Sequence, residues 1–479
     1  MIRGNPDVLS RRYATDPIND IFSDRTKIIC ERELWIAVMK SQKELGVNIP
    51  GEDIEKFEAA KDKDIDPEAI EAREKEIRHD VKAKIEAFVK AAGAGEYIHK
   101  GMTSRDLTDN VEQMQNRKAA ELIFGSYISV LRHFTDKAQE YSDIYLTART
   151  HHQAAQPTCL GRRFSMWAEE LIQNLNDFRA FIDNYPLRGI KGPVGTQADM
   201  LNMLKSPEKV DALEKRVAEL LGFKQLITSP GQIYPRSLDT KLVDQLVGAS
   251  EACSNFAQSM RLMAGYDLVT EGFKEGQVGS SAMPHKMNTR SSERVRGLCQ
   301  VLKGYQDMAS RISGDQWEEG DVSCSSPRRV FLSGSFYTSD GICETTLTIL
   351  NEMGAYPVMI EKEVDRFLPF MATTQLLKLA TDHGIGRETA HEIIRKYSVA
   401  EALRMRNTGE CENHLAESLA GDISFQKAGI TIGDTDSILT ERAKFIGNAK
   451  RQISQVVETA KALTSKYDKQ AAYEPQPIL

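Results

Sequence analysis

Paired cysteines are missing from this 479-residue chain: its seven stand singly at Cys30, Cys159, Cys253, Cys299, Cys324, Cys343 and Cys411, with no CxxC spacing. That excludes a disulfide-stapled framework and fits a reducing compartment. Long apolar runs are lacking too. No stretch approaches the length of a membrane span, and the opening MIRGNPDVLSRRYATDP has no apolar signal-peptide core, so a soluble, cytoplasmic protein is expected. Positive charge is not in excess: 62 Lys and Arg against 69 Asp and Glu leave a net charge of -7, with a pI near 5.9. Binders of nucleic acid or membrane surfaces need a positive face, so neither partner is expected. An anionic ligand would have to meet local cations, such as Arg162-Arg163, Lys286 to Arg296 or Arg328-Arg329. Metal motifs are absent as well: the nine histidines are dispersed, and His391-Glu392 lacks the second histidine of HExxH. The glycine-rich run Gly189 to Gln197 is not GxxxxGK[ST], and Gly93-Ala94-Gly95 lacks the third glycine of a dinucleotide fingerprint. No metal and no cofactor are expected.

What the chain has in quantity is helical periodicity. Leu160, Phe164, Trp167, Leu171, Leu175, Phe178, Ile182 and Tyr185 recur at steps of three and four, the spacing of one apolar helix face. Similar stripes run from Val111 to Tyr141, from Leu238 to Val269 and from Val295 to Ile312, whereas period-two alternation is scarce. An all-α protein follows, with a central bundle of long helices packed lengthwise. A chain this long exceeds one core, so three helical domains are expected: 1–105, ending at the loop Gly101-Met102-Thr103-Ser104; 106–355, the bundle; and 356–479, where glycine punctuation returns. The tail from Tyr467 to Leu479, with two prolines and few apolar anchors, is expected to be loose.

The most informative segment is Gly279-Ser280-Ser281-Ala282-Met283-Pro284-His285-Lys286-Met287-Asn288, a small-residue loop between helical stretches. Gly276 and Gly279 free the backbone, the serines supply hydroxyl and N–H donors, and Lys286 adds a fixed positive charge. That is chemistry suited to a developing anion. A plain helix connection, with serine as cap and Pro284 as breaker, is the bland alternative. Read with Arg290 and Ser292-Glu293-Arg294, however, the string resembles the signature of the fumarase/aspartase superfamily, and within it the adenylosuccinate lyases. The resemblance runs from Arg12 to about Arg329 and involves several motifs in the same order.

The resemblance implies a β-elimination that releases fumarate, which needs a base, donors for a dianionic carbanion, and an acid for the departing nitrogen. A serine hydroxyl is a poor base until neighbouring N–H groups and a cation such as Lys286 lower its pKa. Residue chemistry does not separate Ser280 from Ser281; family position favours Ser280. In Arg149-Thr150-His151-His152-Gln153, the adjacent histidines are equally ambiguous, and the motif match favours His151 as the acid, with Glu293 as its carboxylate partner. Arg78-His79-Asp80-Val81 resembles a string specific to the adenylosuccinate lyase branch, in which the histidine contacts substrate and supports proton chemistry; Arg78 and Asp80 flank it.

A nucleoside monophosphate substrate needs an anion site as well. Thr103-Ser104 reads as the N-cap of the long helix that follows, and helix N-termini bind anions through free N–H groups. The resemblance adds Arg12, Tyr13, Gln232, Asn288, Arg294, Ser325 and Arg329 as substrate contacts. It departs at Gly320, where many relatives carry arginine. By the same resemblance the chain is a homotetramer with active sites shared between subunits. Two rivals remain at this level: another fumarate-releasing lyase, which should lack RHDV and a phosphate pocket, and a structural protein that has kept the bundle without the chemistry.

Overall fold

The computed structural model describes residues 7–272 and 282–476. Five long helices make its centre: Ser104–Glu140, Leu160–Asp183, Ser237–Gly265, Arg290–Ile312 and Ser325–Glu352. They pack along one another, and their facing stripes merge into one large apolar cluster that includes Phe134, Phe164, Trp167 and Phe256. The periodic residues Leu160, Phe164, Trp167, Leu171, Leu175, Phe178 and Ile182 all lie buried on one face of the 160–183 helix, as their spacing requires. The all-α expectation holds.

Two smaller clusters flank the bundle. Trp35, Phe57 and Phe88 form one together with Tyr185, Leu187, Leu213 and Phe223, so residues 185–223 return to complete the core begun by the first hundred. Leu376, Ile394, Leu415 and Phe425 form another, toward the C-terminus. After it the chain turns back, and the Ala449–Thr464 helix packs on the central bundle.

Two segments depart from the helical pattern or from expectation. The segment around His151 is an antiparallel hairpin, Tyr145–Thr150 against Gln153–Cys159. Its burial does not alternate along either strand, because its faces meet the bundle and the Pro357–Met371 helix irregularly; that is why no period-two signal announces it. Nor is the tail loose as far as it is described. Tyr467 meets Phe124 edge-on at 5.1 Å. The backbone carbonyls of Ala471 and Tyr473 accept from Arg132 Nε at 2.6 Å and Ser129 Oγ at 2.8 Å. Tyr473 Oη and the Gln476 amide donate to the two oxygens of buried Glu344, at 2.6 and 2.7 Å. Backbone groups, which composition does not reveal, anchor this strap.

Candidate active site

Thr103 is the N-cap of the 104–140 helix, as its sequence suggests. Three residues on, fully buried Asp106 gathers the surroundings of that helix end. Its carboxylate accepts from the Thr103 amide at 2.8 Å, from the amides of Lys191 and Gly192 at 2.8 and 3.1 Å, and from the buried Arg188 guanidinium. Asn110, one turn further, donates to the Gly189 carbonyl at 2.9 Å and accepts the Gly189 amide at 3.0 Å. The glycine-rich run 189–197 is thereby pinned to the N-terminus expected to bind an anion. The first turn of the helix thus fixes where this run lies.

On the same helix, buried Asp109 accepts from Arg236 at 3.2 Å and from the Tyr234 amide at 3.3 Å. Arg105 bridges Asp109, at 3.4 Å, to Ser325 Oγ, at 3.2 Å. Arg328, next to the exposed Arg329, pairs with Asp239 and with Glu112, both at 2.7 Å. Burial works against the charge on Glu112, but Arg328 and Arg236 outweigh it and hold its pKa below the ordinary carboxylate value. The Gln232 amide donates to the Glu319 carbonyl at 2.7 Å, which ties the 230–236 loop to the 313–324 loop. Gly320 sits against it at φ 140°, where an added Cβ would fall 2.9 Å from Ile233. A side chain there would be strained and would press on Ile233.

Thr103, Ser104, Gln232 and Ser325 therefore converge on one end of the bundle. Arg78 and His79 stand at a break between two helices: Arg78 is a left-handed C-cap at φ 55°, and His79 is the next N-cap, its Nδ1 accepting from the Lys82 amide at 3.2 Å. Ile77 and Val81 thus belong to two different helices. Arg12 ends a short helix, and Tyr13 packs against Gly341 of the 325–352 helix.

A second group follows the signature segment. Lys286, Asn288 and Glu293, with His285, Arg261, Glu271 and Tyr356, line an open cleft of about 730 Å³. Glu271 accepts from the amides of Ser291 and Ser292 at 2.8 and 3.0 Å, capping the 290–312 helix beside it. Arg294 lies one residue beyond Glu293, in the first turns of that helix. Ser280, the base candidate, lies outside the described residues, as does Ser281.

The third group is the hairpin turn. His151 and His152 are its two central residues, at φ 52° and 60°. Consecutive left-handed residues other than glycine cost roughly 1–2 kcal/mol each, so their surroundings must hold them. His152 does the holding: its Nε2 lies 3.2 Å from Tyr266 Oη and its ring packs on the tyrosine. His151 is exposed and has no hydrogen-bond partner among the described residues. Glu293 pairs with Arg261 at 4.0 Å, and no ion pair or hydrogen bond joins it to His151 among the described residues. Sequence reasoning missed Asp106, Asp109, Arg105 and Arg188. The pattern Arg105-Asp106 directly after a cap, with Asp109 and Asn110 on the next turn, was the available signal. No cluster able to hold a metal ion occurs among the described residues, and none of their helices is long and apolar enough to cross a membrane.

Comparison with known proteins gives two family matches: "Lyase" over residues 11–304 and "Adenylosuccinate lyase C-terminus" over residues 369–456. Among curated proteins, the adenylosuccinate lyase of Saccharomyces cerevisiae is 34% identical, over 94% of this chain and 93% of its own. That of Schizosaccharomyces pombe is 32% identical over the same shares. Among solved structures, the 3-carboxy-cis,cis-muconate lactonizing enzyme of Pseudomonas putida superposes with a TM-score of 0.82 at 19% identity, covering 96% of this chain and all of that one. At that identity the likeness speaks for the fold.

Proposed function

The chain belongs to the adenylosuccinate lyase family, and from that premise we propose that it cleaves adenylosuccinate to AMP and fumarate, and succinylaminoimidazole carboxamide ribotide to its carboxamide and fumarate. The observation that carries this reading is the match at both ends: the general lyase segment and the C-terminal segment particular to adenylosuccinate lyases occur in one chain, in order. It favours this branch over other fumarate-releasing lyases.

In this reading Ser280 removes the proton on the carbon beside a succinyl carboxylate. The C–N bond breaks as the carbon–carbon double bond forms, and His151 protonates the departing nitrogen. Its exposed, unengaged position, against the engaged His152, supports His151 as the acid. Lys286 offsets the charge that develops on the carboxylate. Glu293 orients His151, and His79 assists from the helix break. The N-terminus at Thr103-Ser104 takes the phosphate, with Arg12, Tyr13, Arg78, Asp80, Gln232, Asn288, Arg294, Ser325 and Arg329 as further contacts.

By the family resemblance the site draws its groups from several subunits, so it is proposed to assemble in a cytoplasmic homotetramer, with each subunit organised as 1–105, 106–355 and 356–479. Large apolar side chains exposed on the central helices, among them Leu262, Val301, Met308 and Val330, support such an assembly. The test is fumarate release with adenylosuccinate, argininosuccinate and aspartate offered separately, in wild type, Ser280→Ala and His151→Ala. Release from adenylosuccinate alone, lost in both variants that still assemble, is expected. Release from a different substrate removes the branch, and activity in either variant removes that residue's role.

A further inference from the structure

The hairpin turn that presents His151 is gripped by residues far from it in sequence. Arg149, on the first strand, sits where the strand register shifts between Thr147 and Arg149. Such an irregularity re-aims a side chain. One guanidinium nitrogen donates to the carbonyl of His152 at 3.3 Å, inside the turn itself. Another pairs with Glu363 of the Pro357–Met371 helix. The guanidinium carbon lies over the Tyr266 ring at 4.6 Å and over the Phe367 ring at 5.6 Å. Tyr266 in turn holds His152 through its hydroxyl.

Solvent screens this assembly little, since the side chains of Arg149 and Glu363 are only 16% and 10% exposed. Glu363 Oε2 is buried with no hydrogen-bond partner among the described residues, so the carboxylate is committed to its Arg149 contact. Arg163, at the start of the next helix, is a second cation that feels both charges; burial holds its pKa below the ordinary value. Two arginines thus face one carboxylate around the base of the turn.

We propose that the Arg149–Glu363 pair, stacked on Tyr266, is a positioning brace that sets the direction of the turn and so aims His151 at the departing nitrogen. This rests on His151 being the proton donor. The brace spans three elements, the hairpin, the end of the 237–265 helix and the 357–371 helix, so it registers the turn against the rigid bundle without touching substrate. An acid misplaced by about 1 Å can lose on the order of 100-fold in rate.

The experiment compares Glu363→Gln, Glu363→Asp and Arg149→Ala with wild type, on the intact assembly, for kcat, KM, the pH profile of kcat and melting temperature. Expected is a fall in kcat of roughly 10- to 100-fold with KM within about twofold, a displaced acid limb in the pH profile, and partial recovery in Glu363→Asp. His151→Ala is measured alongside. If it is inactive while the brace variants keep full kcat and an unmoved profile, the brace is wrong and the acid assignment stands. If His151→Ala keeps full activity, the acid assignment itself is wrong. A loss that follows melting temperature alone, with an unmoved pH profile, overturns the proposal in favour of a purely structural pair.

Discussion

Replacing Asp106 with alanine should damage stability and substrate affinity together, because one carboxylate serves both. The variant leaves the guanidinium of Arg188, itself wholly buried, without its ion-pair partner, and strips the amides of Thr103, Lys191 and Gly192 of their acceptor. Removing one member of a buried pair costs about 3–5 kcal/mol. An unfolding entropy of roughly 2.1 cal/mol/K per residue over this length makes about 1 kcal/mol equivalent to one degree. The expected fall in melting temperature is therefore about 3–5 °C, readable by calorimetry. The second effect is on KM: once the glycine-rich run and the Thr103 amide are released, the helix end that should receive the phosphate is no longer shaped, and KM should rise by about tenfold or more with a smaller change in kcat. Arg188→Met is the informative control, since it leaves the carboxylate its three amides and should perturb KM less. A variant Asp106→Ala that melts within one degree of wild type and keeps its KM would refute the idea that this residue organises the site.

The docked tail should respond to pH. Burial raises the pKa of Glu344 from an ordinary 4.5 to about 7, and that of neighbouring Asp340 from 3.8 to about 6. The folded state then keeps protons that the unfolded chain releases above pH 4.5, so this contribution to stability is full at low pH and declines as pH rises through 7. Melting temperature should drop between pH 5 and 8, and the drop should be shallower in Glu344→Gln; equal slopes would dismiss the strap as a titrating contact. Gly320→Arg, which introduces the residue the family resemblance leads one to expect there, should lower both stability and activity, because its Cβ meets Ile233 at 2.9 Å at a φ of 140°. A gain in affinity on that substitution would show that the loop yields.

The helices were readable because each long stripe has a single partner face: the apolar set from Leu160 to Ile182 is buried as one row. Thr103 was readable because a cap is a local event. The hairpin was not, since Tyr145 to Cys159 owes its strand form to the helices around it, with no alternation to betray it. Motif residues such as Lys286 and His151 stood out chemically, whereas Arg105, Asp109 and Glu363 look like ordinary surface charges until folding brings Ser325, Arg236 and Arg149 beside them. Long-range pairing of common residue types leaves little trace in one sequence.

The central apolar cluster draws members from Leu9 near the start of the chain to Ala471 near its end. A growing polypeptide therefore cannot finish this core while the ribosome still holds the final helix. Completion of the bundle must await the emergence of Ala471, and until then the half-built helices expose the faces that later become interior. Synthesis proceeds at about 5–20 residues per second, so that exposed interval is long enough for holdase chaperones to matter to the yield of this protein in the cell.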